Sequence, residues 1–167
     1  MLTELPPLKN LLVIDAQRCT GCRNCELACS TRNATSFNPA RSRIQILKKE
    51  HKGLIIPMVC LQCDEPLCAE ACPTNAIILN SSGVLTVNHE ECIGCGNCVS
   101  ACIYGGIVID PVARKAIKCD LCDGDPACIT ACEYGVISLV SEEKGRSERA
   151  KGMEQLSTSI RTQEVSE

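Results

Sequence analysis

The sequence is nearly without aromatic residues, with one Phe, two Tyr and no Trp in 167 positions. Large rings fill much of the core of a small domain, so a chain this poor in them is marginal without another source of stability. Long apolar runs are missing too. Stretches such as Leu11–Ile14 and Ile107–Ile109 fall far short of the ~20 residues that span a bilayer, and no direct membrane insertion is expected. The opening MLTELPPLKN has no basic n-region, apolar h-region or twin arginine, which sets the expectation of a cytoplasmic protein with reduced thiols. The two histidines, His51 and His89, stand alone in segments expected to be solvated loops. No glycine-rich phosphate loop, serine elbow or His–Glu metal motif is present, so no residue is assigned a catalytic role.

Sulfur is what the chain has in abundance. Sixteen cysteines form four groups: Cys19, Cys22, Cys25, Cys29; Cys60, Cys63, Cys68, Cys72; Cys92, Cys95, Cys98, Cys102; and Cys119, Cys122, Cys128, Cys132. The first and third groups follow Cys-x2-Cys-x2-Cys-x3-Cys to the residue, the thiolate spacing that holds cubane [4Fe–4S] clusters. In the other two groups four residues separate Cys63 from Cys68 and five separate Cys122 from Cys128, so those loops must bulge. Sixteen thiolates at four per cube leave room for four [4Fe–4S] clusters. A disulfide scaffold, or a zinc-binding interaction module with four Cys₄ sites, would use the same count. Zinc sites draw two ligands from each of two knuckles, whereas three cysteines at steps of three suit a cube. Ligation by four thiolates leaves no open iron corner for substrate, which points to wiring rather than catalysis.

The groups belong to one repeated unit. Alanine precedes the last cysteine of each, at Ala28, Ala71, Ala101 and Ala131, a small residue that would let a short helix lie close against a cube or a neighbouring helix. Short aliphatic stretches flank the groups: Leu11–Ile14, Leu54–Val59, Val84–Val87 and Ala116-Ile117 before them, and Ala76–Leu79, Gly106–Ile109 and Val136–Leu139 after three of them. Each unit reads as strand, cysteine loop, one or two helical turns, strand, giving an α+β fold of ferredoxin-like units held by their clusters. Asn80-Ser81-Ser82-Gly83 and Asp110–Arg114 read as hairpin turns. Outside the repeat, Arg43–Lys48 alternates polar and apolar residues and is expected to pair with Leu54–Val59 as an inserted hairpin over 40–59. From about Ser141 the composition turns to Ser, Glu, Lys and Arg, expected as a flexible or partner-bound tail over 141–167. The insertion Ser30–Val59 and this tail are the docking surfaces the sequence suggests.

The first and third groups, Cys19–Cys29 and Cys92–Cys102, resemble the motifs of bacterial 2[4Fe–4S] ferredoxins. The ordered set of four, with the wider Cys60–Cys72-Pro73 second, resembles the four-cluster electron-transfer subunits of molybdopterin and tungstopterin oxidoreductases, over roughly residues 10–140. The short chain is most similar to the small iron–sulfur subunit of tungsten-dependent aldehyde oxidoreductases. The resemblance implies nested pairing of the groups. Cys19, Cys22 and Cys25 would share a cube with Cys132, and Cys119, Cys122 and Cys128 another with Cys29. Cys60, Cys63 and Cys68 would join Cys102, and Cys92, Cys95 and Cys98 would join Cys72. A polyferredoxin domain over 1–140 then divides into an outer unit, 10–30 plus 115–140, and an inner unit, 55–110. Ile103, Glu133 and Ser30 stand where the pattern usually has proline; none is a ligand. The family also implies a large catalytic subunit with a tungsten or molybdenum pterin, and a flavin- or NAD-binding subunit or a ferredoxin opposite it. A hydrogenase or formate dehydrogenase complex is the alternative setting.

Charge points the same way. The formal −3 counts every cysteine as a neutral thiol, and a cube with its four thiolates carries a further −2. A nucleic-acid partner is therefore not expected. Because metal–sulfur bonds would supply what the thin core cannot, stripping iron with a chelator under anaerobic conditions is expected to abolish most far-UV circular dichroism; an apoprotein with native dichroism would contradict this.

Overall fold

The computed structural model describes residues 10–148. Its eight short strands pair as four antiparallel two-stranded sheets, linked by four helices. Strand β1 (Asn10–Ile14) pairs with β8 (Ile137–Ser141), the two ends of the described chain. Between them, β2 (Ile44–Lys49) pairs with β3 (Leu54–Val59), β4 (Ile77–Leu79) with β5 (Leu85–Val87), and β6 (Ile107–Ile109) with β7 (Ala116–Lys118). Three of these pairs are hairpins closed by the turns the sequence signals. Gly53 takes φ +60 in the first, and Asn80 Oδ1 accepts the Ser82 and Val84 amides in the second. Such side-chain-to-backbone bonds are why Asn and Gly sit at these corners.

The α-helices between the strands are α1 (Asn24–Ala34), α2 (Leu67–Glu70), α3 (Asn97–Ala101) and α4 (Ala127–Thr130). α1 packs on α4 and α2 on α3. The last three are single turns, as the unit pattern implies. α1 is longer: it passes through Cys29 and runs on to Ala34, because no proline or glycine follows Cys29 before Thr35 takes the left-handed conformation.

Apolar side chains gather in two clusters. One joins Leu12, Ile44, Ile46, Val59, Leu121, Val136 and Ile137 to Cys25, Cys29, Cys60, Cys119 and Cys128. The other joins Ala76, Ile77, Leu85, Ile107 and Ala116 to Cys92 and Cys98. Cysteine is thus as much a part of the core as the aliphatic residues.

Part of the inserted segment and part of the tail are packed. Ile44 and Ile46 are buried, and the hairpin lies against the first cysteine loop, where a Cβ on Gly21 would meet Lys48 Cε at 2.5 Å. The polar stretch from Ser141 is not where structure ends. Residues 142–148 are helical, buried Gly145 lies on Leu11 and Val140, and Arg146 pairs with Asp64 and Glu142. Residues 149–167 lie outside the described residues. His51 is exposed as expected, while the exposed His89 ring nitrogen lies 3.1 Å from the Ala116 carbonyl.

One buried ion pair ties the inserted segment to the β6–β7 turn. Arg41 Nε meets both Asp110 oxygens at 3.1 and 3.0 Å, and Asp110 Oδ1 also accepts the Val112 and Ala113 amides. Burial alone would push the Asp110 carboxyl up; the Arg41 guanidinium and those amides outweigh it and hold the group below the usual carboxylate range. A depressed folded value gives stability that is present above the unfolded value, about 3.9, and lost as pH falls through the folded one, so neutral pH carries it in full. Asp110→Asn leaves Arg41 half-paired in a buried site and is expected to cost roughly 3 kcal/mol. The check is a lower guanidinium midpoint at pH 7, with Asp110→Glu the milder change.

Candidate metal centres

Each cysteine loop is shaped by a backbone that L-residues usually avoid. The residue two positions after the first cysteine is left-handed in all four: Gly21 (φ +68), Gln62 (φ +50), Gly94 (φ +70) and Leu121 (φ +63). Glycine supplies this freely; a side chain there costs roughly 1–2 kcal/mol. Gln62 is held by its own amide, which donates to the Leu85 and Cys119 carbonyls and accepts the Leu85 amide. Leu121 is buried in the core. The wide last loop continues left-handed through Cys122, Asp123 and Gly124, with Asp120 Oδ1 accepting the Cys122 amide. This is how five residues fit between Cys122 and Cys128.

These loops gather sulfurs from distant parts of the chain. Cys19, Cys22, Cys25 and Cys132 line one cavity; Cys29, Cys119, Cys122 and Cys128 line another. Cys72, Cys92, Cys95 and Cys98 line a third. Cys60, Cys63, Cys68 and Cys102 are neighbours as well: the Cys63 thiol is pushed up by burial and then by the charges of Cys60, Cys102 and Cys68. All sixteen cysteines are free thiols. Among the described residues no group of three or more His, Cys, Asp or Glu side chains closes tightly enough to hold a single metal ion.

The backbone offers donors to the sulfurs, in a repeat the cysteine spacing alone did not reveal. The fourth cysteine of three groups accepts the amide four residues on: Cys72 from Ala76 at 3.3 Å, Cys102 from Gly106 at 3.4 Å and Cys132 from Val136 at 3.3 Å. Each time the intervening third residue, Asn75, Gly105 or Gly135, has positive φ and turns the amide toward sulfur. Asn or Gly at that spacing was the available signal. In the first group, where α1 runs on, Cys29 Sγ takes the Arg43 amide at 3.3 Å instead, with Asn33 Nδ2 3.6 Å away. Cys60 and Cys92 accept the Gln62 and Ala116 amides, each at 3.4 Å.

Without metal, burial opposes ionisation. Cys25 is pushed up to about 12 by burial and then by the charges of Glu26 and Cys128; Cys128 reaches about 12 through burial and then Cys29 and Cys122. Burial likewise raises Cys119, Cys98, Cys122 and Cys68. At Cys72 burial is outweighed by the Thr74 hydroxyl and the Ala76, Thr74 and Ile77 amides, and the thiol is lowered. A bound cation reverses the burial penalty, because a coordinating thiol deprotonates outright. Soft donors in fours, amides aimed at sulfur and a cavity between them fit an iron–sulfur cube.

Comparison with known proteins agrees. A 4Fe-4S dicluster domain matches residues 51–142 and a second matches 15–76; the chain belongs to the 4Fe-4S dicluster domain family. It is 39% identical over 89 residues to the aliphatic sulfonate oxidoreductase polyferredoxin-like subunit of Pyrococcus furiosus, covering 53% of this chain and 51% of that one. It is 38% identical over 92 residues to the arsenate respiratory reductase iron-sulfur subunit of a Shewanella species, covering 53% and 39%. The chain thus spans about half or less of these curated relatives. A chain from the BamBC active-site complex of benzoyl coenzyme A reductase, solved with zinc, is 27% identical with a TM-score of 0.50, over 95% of this chain and 98% of that one. No helix among the described residues is long and apolar enough to cross a membrane.

Gly94 and Gly96 separate strain from clash in the third loop. A Cβ at Gly94 would lie 2.1 Å from the Arg114 carbonyl oxygen, while one at Gly96 meets nothing within 4 Å; both have positive φ. Gly96→Ala is expected to cost about 1–2 kcal/mol and Gly94→Ala clearly more. Denaturation midpoints of the two variants provide the check.

Proposed function

We propose that the chain is an electron-transfer subunit carrying four [4Fe–4S] clusters, with no substrate chemistry of its own. The proposed ligand sets are Cys19, Cys22, Cys25 with Cys132; Cys119, Cys122, Cys128 with Cys29; Cys60, Cys63, Cys68 with Cys102; and Cys92, Cys95, Cys98 with Cys72. The observation that carries the reading is a cavity bordered by three cysteines of one loop and a fourth from far along the chain, found three times. Bound cubes supply one-electron exchange. The protein's part is to hold them in line, shield them from water and aim amides at their sulfurs.

The order of the sets in space supports a wire. The Cys25 thiol feels Cys128, and the Cys119 thiol feels Cys60. The first set thus borders the second and the second borders the third, while the third and fourth share the α2–α3 contact. At the two ends, Cys22 and Cys95 are exposed, beside Tyr134 and the two-thirds exposed Ile93. Electrons would enter at one of these ends and leave at the other.

The partner we propose is a large catalytic subunit with a tungsten or molybdenum pterin, such as an aldehyde oxidoreductase. A flavin- or NAD-handling subunit or a ferredoxin would sit opposite it, in the cytoplasm. Support comes from the resemblance of the four-group pattern and from likeness to subunits of oxidoreductase and reductase complexes. The hydrogenase or formate dehydrogenase setting is the second reading, on the same four-group pattern.

Anaerobic purification should give a brown protein with about sixteen iron and sixteen acid-labile sulfide atoms per chain, absorbing broadly near 400 nm and bleaching on reduction. Cys95→Ala should lower iron by up to one cube's four atoms and leave the other signals. Stoichiometric zinc with no sulfide would overturn the reading, and co-purification from the native source would identify the catalytic partner.

A further inference from the structure

Strand β7 ends in a residue out of place. After Ala116 and Ile117, Lys118 is also buried, only 3% exposed. Its ammonium Nζ donates to the Leu85 carbonyl at 2.8 Å. That carbonyl also accepts the Gln62 side-chain amide at 3.3 Å, and the same amide reaches the Cys119 carbonyl at 2.8 Å. Gln62 lies between Cys60 and Cys63 in the loop and is itself buried. Lys118 is thus pinned against the second cysteine loop, one residue before the first cysteine of the fourth group.

An isolated buried ammonium is costly unless an anion lies near. No carboxylate among the described residues forms an ion pair with Lys118. The Gln62 amide that shares the Leu85 carbonyl with Lys118 sits between Cys60 and Cys63, so the ammonium faces a loop that presents sulfurs. Lys115 offers the contrast. Its Nζ donates to the His89 and Cys92 carbonyls, yet its side chain is partly exposed, so water screens its charge.

Resting on the four-cluster reading above, we propose that Lys118 is a positioning cation that raises the reduction potential of the cluster held by Cys60, Cys63, Cys68 and Cys102. When that cube takes one electron from a neighbouring cluster, its charge with four thiolates goes from −2 to −3 and the neighbour loses one negative charge. No bond forms or breaks. A fixed positive charge beside the cube interacts more favourably with −3 than with −2, so it favours the reduced form. Gln62 holds the geometry by sharing the Leu85 carbonyl, and it links this loop to Cys119 of the next set along the wire.

The test is an anaerobic redox titration of the full chain followed by electron paramagnetic resonance, in wild type, Lys118→Met, Lys118→Gln and Lys118→Arg. Cys63→Ser identifies the signal of the cluster concerned by altering it. Lys118→Met and Lys118→Gln should lower that one couple by a tenfold change in its equilibrium, about 59 mV for one electron, while Lys118→Arg keeps it near the wild-type value. Should Lys118→Met lose iron, Lys118→Gln, which retains a donor for the Leu85 carbonyl, decides the matter. Full iron content with an unmoved couple in Lys118→Gln overturns the role of Lys118 alone, as does a shift confined to a signal that Cys63→Ser leaves intact. A wild-type chain without iron and sulfide overturns the cluster reading itself.

Discussion

Sulfur buried in a protein interior resists giving up its proton, yet it must do so to hold iron. This opposition organises the molecule. Burial drives Cys25 and Cys128 up to about 12, well above the ordinary thiol range. Iron reverses the sign of the burial effect by deprotonating its ligands. Amides are aimed at the sulfurs of Cys29, Cys60, Cys72, Cys92, Cys102 and Cys132. Where such donors outnumber the effects of burial, as at Cys72, the thiol is already lowered.

The fold follows from serving those sulfurs. Two-stranded sheets of three to six residues would be marginal in isolation. Here each flanks a cysteine loop and shares its core with cysteine side chains. Backbone strain concentrates in the same loops. Gln62, Leu121, Cys122 and Asp123 take positive φ with side chains in place, and their surroundings hold them there through Gln62's three hydrogen bonds and Leu121's burial. The close approach at Gly106, where a Cβ would fall 2.6 Å from Cys60 Cα, shows how tightly the second loop is pressed against the start of β6.

Charge completes the picture. A wire of proposed clusters accumulates negative charge in a chain that is formally −3, and the basic residues near it are placed in distinct ways. Arg43 pairs with Asp120 beside the Cys119 loop, Arg23 pairs with buried Glu26 at the Cys22 loop, and Lys118 carries a buried charge with no carboxylate partner among the described residues. Of these three, Lys118 is the one held against a cysteine loop by a backbone carbonyl rather than by a carboxylate, which is why its effect on potential is expected to be local.

Much of the fold was legible because its signals are local. The hairpins at Asn80–Gly83 and around Gly53, the strands of alternating or aliphatic residues, and the single-turn helices of the last three units are all written in adjacent residues. What the inserted hairpin packs on was not legible, because alternation tells which residues share a face but not what that face meets; it meets the Gly21 loop. The helix over 142–148 was missed because its polar composition hides how it docks: Gly145, lacking a side chain, lies on Leu11, and Arg146 pairs with Asp64.

By itself the sequence determined the chemistry: sixteen thiols at iron–sulfur spacing, too few rings for an ordinary core, and the turn residues that let loops curl. Which distant cysteine borders which loop, how Asn75, Gly105 and Gly135 turn amides toward sulfur, and that Lys118 is buried beside Gln62 were decided only in three dimensions. Spacing fixes what neighbours along the chain can do together. Bringing Cys132 to Cys19, or Lys118 to the Cys60–Cys68 loop, depends on β1 finding β8 and β7 lying beside β5, contacts between residues that no local pattern links.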